Sequence, residues 1–286
     1  MAPQLIYDIG MNNGDDTAYY LARGFKVVAV EADPQLCQTA AGRFANQIRS
    51  GQLIIRNVAI APEPGFAEFW ICDENSVWNS FFKDNASRDG LRHHSVQVEC
   101  ETVPRILDTY GVPYYLKVDI EGHDYLCLDA LNDRSEMPAY VSLEIGDVDM
   151  FLKKLTDLRY SGFKLISQFN FLPIELPAAI EQVSYERWMK VATSESIAAR
   201  ALRKIVGARG RQWITKRVFQ TRYRGDWFFP EGSSGAFGED TRGRWFKPEE
   251  TSKIYHHYYK LAQRDQSGTF WNDKAYSFWV DLHARR

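Results

Sequence analysis

The stretch Tyr7-Asp8-Ile9-Gly10-Met11-Asn12-Asn13-Gly14-Asp15-Asp16-Thr17 brings together residue types that can hold a nucleoside. Gly10 and Gly14 allow a sharp turn and a close approach of backbone to ligand. A helix beginning behind them offers unpaired amide donors to a polar group. About twenty residues further on, Glu31 closes an apolar run, where a carboxylate accepts hydrogen bonds from both hydroxyls of a ribose. The spacing is D-x-G-x-N-x-G, not the G-x-G-x-x-G of a dinucleotide site. Acids at Asp8 and Asp15, with Asp16 beside them, repel a pyrophosphate and suit a ligand that carries positive charge. S-adenosylmethionine is such a ligand: it is cationic at its sulfonium and its α-ammonium, and it has no phosphate. A solvated glycine turn beside an exposed acid is the reading that needs no ligand.

A second group lies further along the chain. Tyr115, Lys117 and Asp119 alternate and therefore share one face of a strand. Asp119 falls at that strand's C-terminal end, the edge where open α/β sheets bind ligands. Transfer of a group from an activated donor mainly requires that the acceptor be positioned and its proton received. Asp119 is the first candidate for that base, or for orienting an acceptor hydroxyl. Lys117 is a candidate for neutralising the neighbouring carboxylates, with a structural ion pair as the equal alternative. His123 sits where it can move a proton, and Glu144 ends the next strand on the same crevice. Glu121 and Asp124 read as caps of the helix that Gly122 turns into. Asp119, Glu121 and Glu144 are also oxygen donors of the kind a divalent cation takes, so a metal requirement stays open and no metal ligand is assigned. Asn57 and Ala59 end a further strand, where the edge of a base would lie, and Asn75, Asn79 and Ser80 occupy the loop after it.

Positioning these groups takes an alternation of strands and helices. The apolar pattern predicts strands at 5–9, 26–30, 53–60, 114–120, 140–145 and 163–169, with an antiparallel excursion at 66–72. Helices are predicted between them, over 16–23, 34–48, 103–110, 125–131 and 150–160. Such spacing implies βαβ units and a doubly wound, mostly parallel sheet. After Pro173 the rhythm breaks. Residues 226–229 read as a final strand and 249–263 as a helix rich in Tyr and His. The layout is one domain made of 1–172 and 225–286, with 173–224 as an inserted, basic, helical cap.

Four blocks carry a family resemblance: Asp8-Ile9-Gly10-x-Asn12-x-Gly14-x-Asp16-Thr17; Val30-Glu31-Ala32-Asp33-Pro34; Asn57-Val58-Ala59-Ile60; and Leu116-Lys117-Val118-Asp119-Ile120-Glu121-Gly122-His123-Asp124. Together with Gly232-Ser233-Ser234-Gly235 and Trp279-x-Asp281-Leu282-His283-Ala284, they resemble the FkbM family of methyltransferases. Met11 stands where alanine is common in that family, and Asp124 where glutamate is. The resemblance implies an α/β, Rossmann-like class I fold and S-adenosylmethionine as donor, with S-adenosylhomocysteine as product. It also implies O-methylation of a hydroxyl on a saccharide or secondary metabolite. The donor-holding set is then Asp8, Gly10, Met11, Asn12, Gly14, Asp16, Thr17, Glu31, Ala32, Asn57, Ala59 and Asp119, with Asp119, Lys117, His123 and Glu144 as the catalytic candidates. An amine or carboxylate acceptor, an NAD-linked oxidoreductase and a non-catalytic nucleoside-binding module are the competing readings.

Composition narrows the setting. The chain has 286 residues, 45% of them hydrophobic and 25% charged, which is ordinary globular usage and disfavours bulk disorder. Cys37, Cys72, Cys100 and Cys127 lack metal-binding spacing and lie in apolar stretches, so buried, reduced thiols are expected. With no long apolar run and no signal-peptide pattern, the expected location is cytoplasmic. Between Arg187 and Arg224 eleven Arg or Lys residues stand against one acid, Glu195. That stretch suits solvent, an anionic acceptor or peripheral contact with an anionic membrane surface. No nucleic-acid partner is expected, because no recognised binding motif accompanies the charge. Ser233 and Ser234 lie in a Gly-rich run that reads as a lid or a plain loop. The oligomeric state stays open.

Overall fold

Residues 4–120, 122–168, 170–177, 196–198, 200–202, 204–206, 223–230, 232–264 and 278–286 are described by the computed structural model. In chain order its elements begin β1 (Leu5–Ile9), α1 (Asp15–Ala22), β2 (Lys26–Glu31), α2 (Pro34–Arg43), α3 (Ala45–Arg49) and β3 (Leu53–Asn57). They continue with β4 (Ala59–Ile60), β5 (Gly65–Cys72), α4 (Lys83–Ala86), β6 (His93–Glu101), α5 (Val103–Tyr110), β7 (Tyr115–Val118), α6 (Asp124–Asp129) and β8 (Tyr140–Glu144). Last come α7 (Val148–Asp157), β9 (Gly162–Ser167), β10 (Tyr223–Arg224), β11 (Trp227–Phe228), α8 (Pro248–Arg264) and β12 (Val280–Arg285).

Seven strands form one sheet in the order β3-β2-β1-β7-β8-β12-β9. β3, β2, β1, β7 and β8 run parallel, and β12 runs antiparallel to both β8 and β9. This is the doubly wound, Rossmann-like α/β sheet that the alternation of elements implies. Its strands are Val- and Ile-rich because both faces are covered. On one face Val28, Leu116, Leu143, Leu165 and Leu282 pack in a core that also takes in side chains of α5, α6, α7 and α8. On the other, Ile6, Tyr20, Tyr115 and Ile166 share a core with Phe237, whose ring stacks on Tyr115 at 4.0 Å and 5°.

Three details depart from the sequence pattern. The strand expected over 53–60 is split: β3 stays in the main sheet, while β4 pairs with β6 in a second sheet ordered β4-β6-β5. Residues 226–229 do not return to the main sheet, because β11 pairs with β10 across a turn at Gly225, where φ is 58°. The remaining place goes to β12. Its alternation carries Asp281 and His283 at buried positions, and those polar residues hide a strand from a hydrophobic reading.

Pro173 bridges Ile166, and the Ile174 amide donates to the Leu165 carbonyl at 2.8 Å, so this stretch packs on β9. Most of the basic segment 173–224 lies outside the described residues; within it, 197–198, 200–202 and 204–206 are helical. The four cysteines are buried and free. In the aromatic helix α8, Tyr255 and Tyr258 face the core, and the Tyr258 hydroxyl donates to the Glu175 carbonyl at 2.8 Å. Among the described residues no helix is long and apolar enough to cross a membrane.

Candidate functional site

β1 is flanked by β2 on one side and β7 on the other. The chain order reverses there, which is where open α/β sheets leave a crevice at their carboxyl ends. A cavity of about 590 Å³ lies at this place. Gly10, Met11, Asn12 and Asp16 line it after β1, Glu31 and Ala32 at the end of β2, and Ala59 in β4. Lys117 and Asp119 contribute from β7 and the residue just past it, and Glu144 from the end of β8.

The first loop closes against β2 and β7. The amides of Gly10 and Met11 both donate to the Val30 carbonyl, at 2.9 and 3.0 Å. Gly10 has φ +86°, and a Cβ there would sit 1.8 Å from the Asp119 carbonyl oxygen, so only glycine allows β1 and β7 to end this close together. Asn12 follows with φ 51° and donates its amide to Glu31 Oε2 at 2.7 Å, while the Asp33 amide donates to Oε1 at 2.8 Å. Two amides thus fix the Glu31 carboxylate at the cavity wall. Burial pushes its pKa up to about 7 against the pull of those amides.

Asn57 lines no part of the cavity. Its side-chain amide donates to the carbonyls of Glu31 and Ala32, at 3.0 Å each, and so holds the end of β2. The loop over 75–79, carried by the second sheet, is tied to the same place. Ser76 Oγ donates to Asn12 Oδ1 at 2.9 Å, and Asn79 Nδ2 to Asp33 Oδ2 at 3.0 Å.

Beneath the cavity the charges are concentrated. Lys117 Nζ donates to the Gly10 carbonyl at 2.9 Å and lies 3.2, 3.6 and 3.8 Å from carboxylate oxygens of Asp8, Asp119 and Asp16. Burial pulls the Lys117 pKa down, but these carboxylates outweigh it and hold the ammonium well above its usual range. Asp8 is fully buried and accepts from Thr17 Oγ1 at 2.6 Å; neither residue reaches the cavity wall, nor does Gly14. Asp16 accepts the amides of Ser234 at 2.9 Å and Gly235 at 3.4 Å, which draws the tail loop over the start of α1. Burial raises the Asp16 pKa to about 7, with Lys117 opposing. Asp281, from β12, accepts from Gln168, and burial drives its pKa well above the carboxylate range. Three carboxyl groups therefore lie within 4 Å of one ammonium, and Asp119, whose side chain is 28% exposed, opens that cluster to the cavity.

Other sequence candidates sit elsewhere. His123 does not line the cavity: its Nδ1 pairs with the Ile60 carbonyl at 3.0 Å, and its ring packs 4.8 Å from Phe81. Asp124 caps the turn by accepting the amides of Ile120 and Gly122. Glu121 lies outside the described residues. Ser80 is buried, and its Oγ accepts from the Phe82 amide at 3.1 Å. Among the described residues no cluster of three His, Cys, Asp or Glu side chains is arranged to hold a metal.

The wall also contains residues the sequence did not single out for it. Trp78 and Trp279 line it, as does Arg88, whose guanidinium lies 5.8 Å from the Trp78 ring centre. Ser233 lines it too, with its Oγ buried and without a hydrogen-bond partner among the described residues. Trp279 and Ser233 were visible only as parts of tail motifs. Trp78 had no signal beyond its place between Asn75 and Asn79.

A family model described as Methyltransferase FkbM domain matches residues 8–165. No curated protein matches. Among solved structures, precorrin-6y C5,15-methyltransferase from Geobacter metallireducens GS-15 is similar at 12% identity over 58% of this chain and 71% of that one. The TM-score is 0.34.

Proposed function

The chain belongs to the FkbM family of methyltransferases, and from that premise we propose that it transfers the methyl group of S-adenosylmethionine to a hydroxyl of a saccharide or sugar-containing metabolite. One observation carries the choice of donor: the acids Asp15, Asp16, Glu31, Asp119 and Glu144 line the cavity at the sheet's reversal point, against the cations of Lys117 and Arg88. A cationic ligand without phosphate gains from that field, and a dinucleotide is repelled by it.

The residues present fit such a donor. Glu31, held by two amides, presents a carboxylate to ribose hydroxyls. Ala59, Ile60, Phe69 and Phe81 give an apolar wall for a base. Asp119 faces the ammonium and sulfonium end, and the orphaned Ser233 Oγ supplies a hydroxyl for a polar group of the ligand. Bound there, the donor supplies a methyl group already activated for in-line displacement.

What remains for the chain is to position the acceptor and take its proton. Asp119 is the exposed carboxylate of the cluster and accepts a hydrogen bond, and then the proton, from an acceptor hydroxyl. Lys117 Nζ, 3.6 Å away, orients that carboxylate. Trp78 and Trp279 offer flat apolar faces to a sugar ring, with Asn75, Asn79 and Arg88 as polar partners along the same wall.

Titration calorimetry with S-adenosylhomocysteine and with NAD is the first test, and it should give heat for the former alone. Labelled donor offered with hydroxyl-, amine- and carboxylate-bearing acceptors should label the hydroxyl compounds. Asp119→Asn should lower turnover by about 10²–10⁴-fold at saturating donor, where weaker donor binding no longer contributes to the loss. Binding of NAD instead, or an undiminished rate in Asp119→Asn, rules the reading out.

A further inference from the structure

Residues 197–206 are helical wherever they are described, and the Arg200 amide donates to the Ser196 carbonyl at 2.9 Å. At roughly 100° per residue, Ile197, Ala201, Ile205, Leu202 and Val206 fall on one side of this helix. Ser196, Arg200 and Lys204 fall on the other. A helix that packs on its own protein covers the apolar side. Here that side is open: Ile197 is 79% exposed, Ile205 82% and Leu202 44%. Arg200 and Lys204 are exposed as well, and no acid occurs between Ser196 and Val206.

We propose that this helix is a membrane-surface element. It lies in the plane of an anionic bilayer interface, with Ile197, Leu202 and Ile205 among the acyl chains and Arg200 and Lys204 among the phosphate headgroups. Charge complementarity selects this occupant. A groove on another protein would cover the isoleucines and leave the cationic side without counter-charge. A nucleic acid would meet the cations and leave the isoleucines in water. A bilayer interface meets both sides at once, through apolar insertion and attraction to anionic lipid. The flanking chain strengthens the attraction, because the eleven cations between Arg187 and Arg224 face one acid. The proposal is independent of the methyl-transfer reading, so either can fail alone.

The test is co-sedimentation of the whole chain with two kinds of vesicle, pure phosphatidylcholine and phosphatidylcholine containing about one-third phosphatidylglycerol. The protein should pellet with the mixed vesicles at least about tenfold more strongly than with the neutral ones, and high salt should weaken that binding. An Ile197→Asn/Ile205→Asn double variant should lose about tenfold or more of the binding. An Arg200→Gln/Lys204→Gln variant should lose a similar factor. All these side chains are exposed, so melting temperature and S-adenosylhomocysteine affinity should stay at wild-type values. Equal binding to both vesicles, or binding to neither, overturns the proposal. So does a wild-type dimer that the Ile variant turns into monomer, since a second copy would then be what covers this face.

Discussion

Lys117 and Lys164 are both buried, on the same face of the same sheet, yet their protons are held very differently. They stand in one register row: Lys117 pairs with Ser142, Ser142 with His283, and His283 with Lys164. At the β7 end, three carboxylates within 4 Å keep the ammonium well above its usual pKa. At the β9 end the groups that the ammonium touches are neutral. Lys164 donates to the Thr241 carbonyl at 3.1 Å and its Oγ1 at 3.0 Å, and lies 4.1 Å from the Trp245 ring centre. There burial prevails, with Glu239 opposing it, and the pKa falls to about 8. Between the two, burial holds His283 neutral, its pKa lowered to about 3. The backbone is alike at both ends, so the difference comes from the side chains and loops packed against it. Acids project where the strands end on the cavity; a carbonyl and an indole cover the row where it is only packed.

Lys117→Met is the severest way to probe the contrast. It strands buried carboxylates and should destabilise the protein by about 3–5 kcal/mol in urea unfolding. Adding Asp16→Asn to that variant removes one of the carboxyl groups left without the ammonium and should restore about 1–3 kcal/mol, a non-additivity that a double-mutant cycle reads directly. If the two changes simply add, Lys117 is not the hub of the cluster.

Proton linkage gives a smaller signal. Asp16 and Glu31 keep their protons up to about pH 7 in the folded chain, against ordinary values of 3.8 and 4.5. The folded state therefore binds more protons over that window, and these groups reduce stability as pH rises through it. Over the same rise the cavity gains negative charge. Affinity for cationic S-adenosylmethionine should strengthen several-fold from pH 6 to pH 8, and by less for S-adenosylhomocysteine, whose sulfur is neutral. Calorimetry at the two pH values checks this.

The mildest change belongs to the other lysine. Lys164→Met leaves no stranded anion and should cost about 1–2 kcal/mol, for the Thr241 carbonyl it leaves unpaired. In the wild type, the unfolded chain holds this proton up to its ordinary 10.5 while the folded one releases it near 8. Stability should therefore gain from this group as pH rises from 8 to 10.5, and the gain should vanish in the variant. A Lys164→Met penalty as large as that of Lys117→Met would erase the distinction between the two ends.

Some of this was legible beforehand. An apolar run followed by Gly10, another closed by Glu31 and a third by Asp119 are local patterns, and local patterns fix where strands end. The alternation of elements carried the sheet. β6 was missed, although Val96, Val98 and Cys100 alternate, because its remaining positions are all polar, and His94, Ser95, Gln97 and Glu99 are exposed. β12 was missed because a buried Asp and His look like a surface tail when their partners Gln168 and Lys164 are unknown. Asn57 illustrates the same limit: its type suits a ligand, yet its amide is taken up by two carbonyls of β2 and its neighbour.

The sequence by itself determined the order of strands and helices, the acids and glycines at strand ends, and the family. Each of these is written in residues near one another along the chain. The tertiary structure alone decided that Asp8 and Thr17 turn away from the cavity, that Ser233 and Trp279 join a site whose first loop lies more than 200 residues earlier, and that one buried lysine is charged and caged while the other donates to a neutral carbonyl and hydroxyl. The physical reason is that a charge's state depends on the groups within a few ångströms of it, and in a folded chain those groups come from strands and loops remote in sequence.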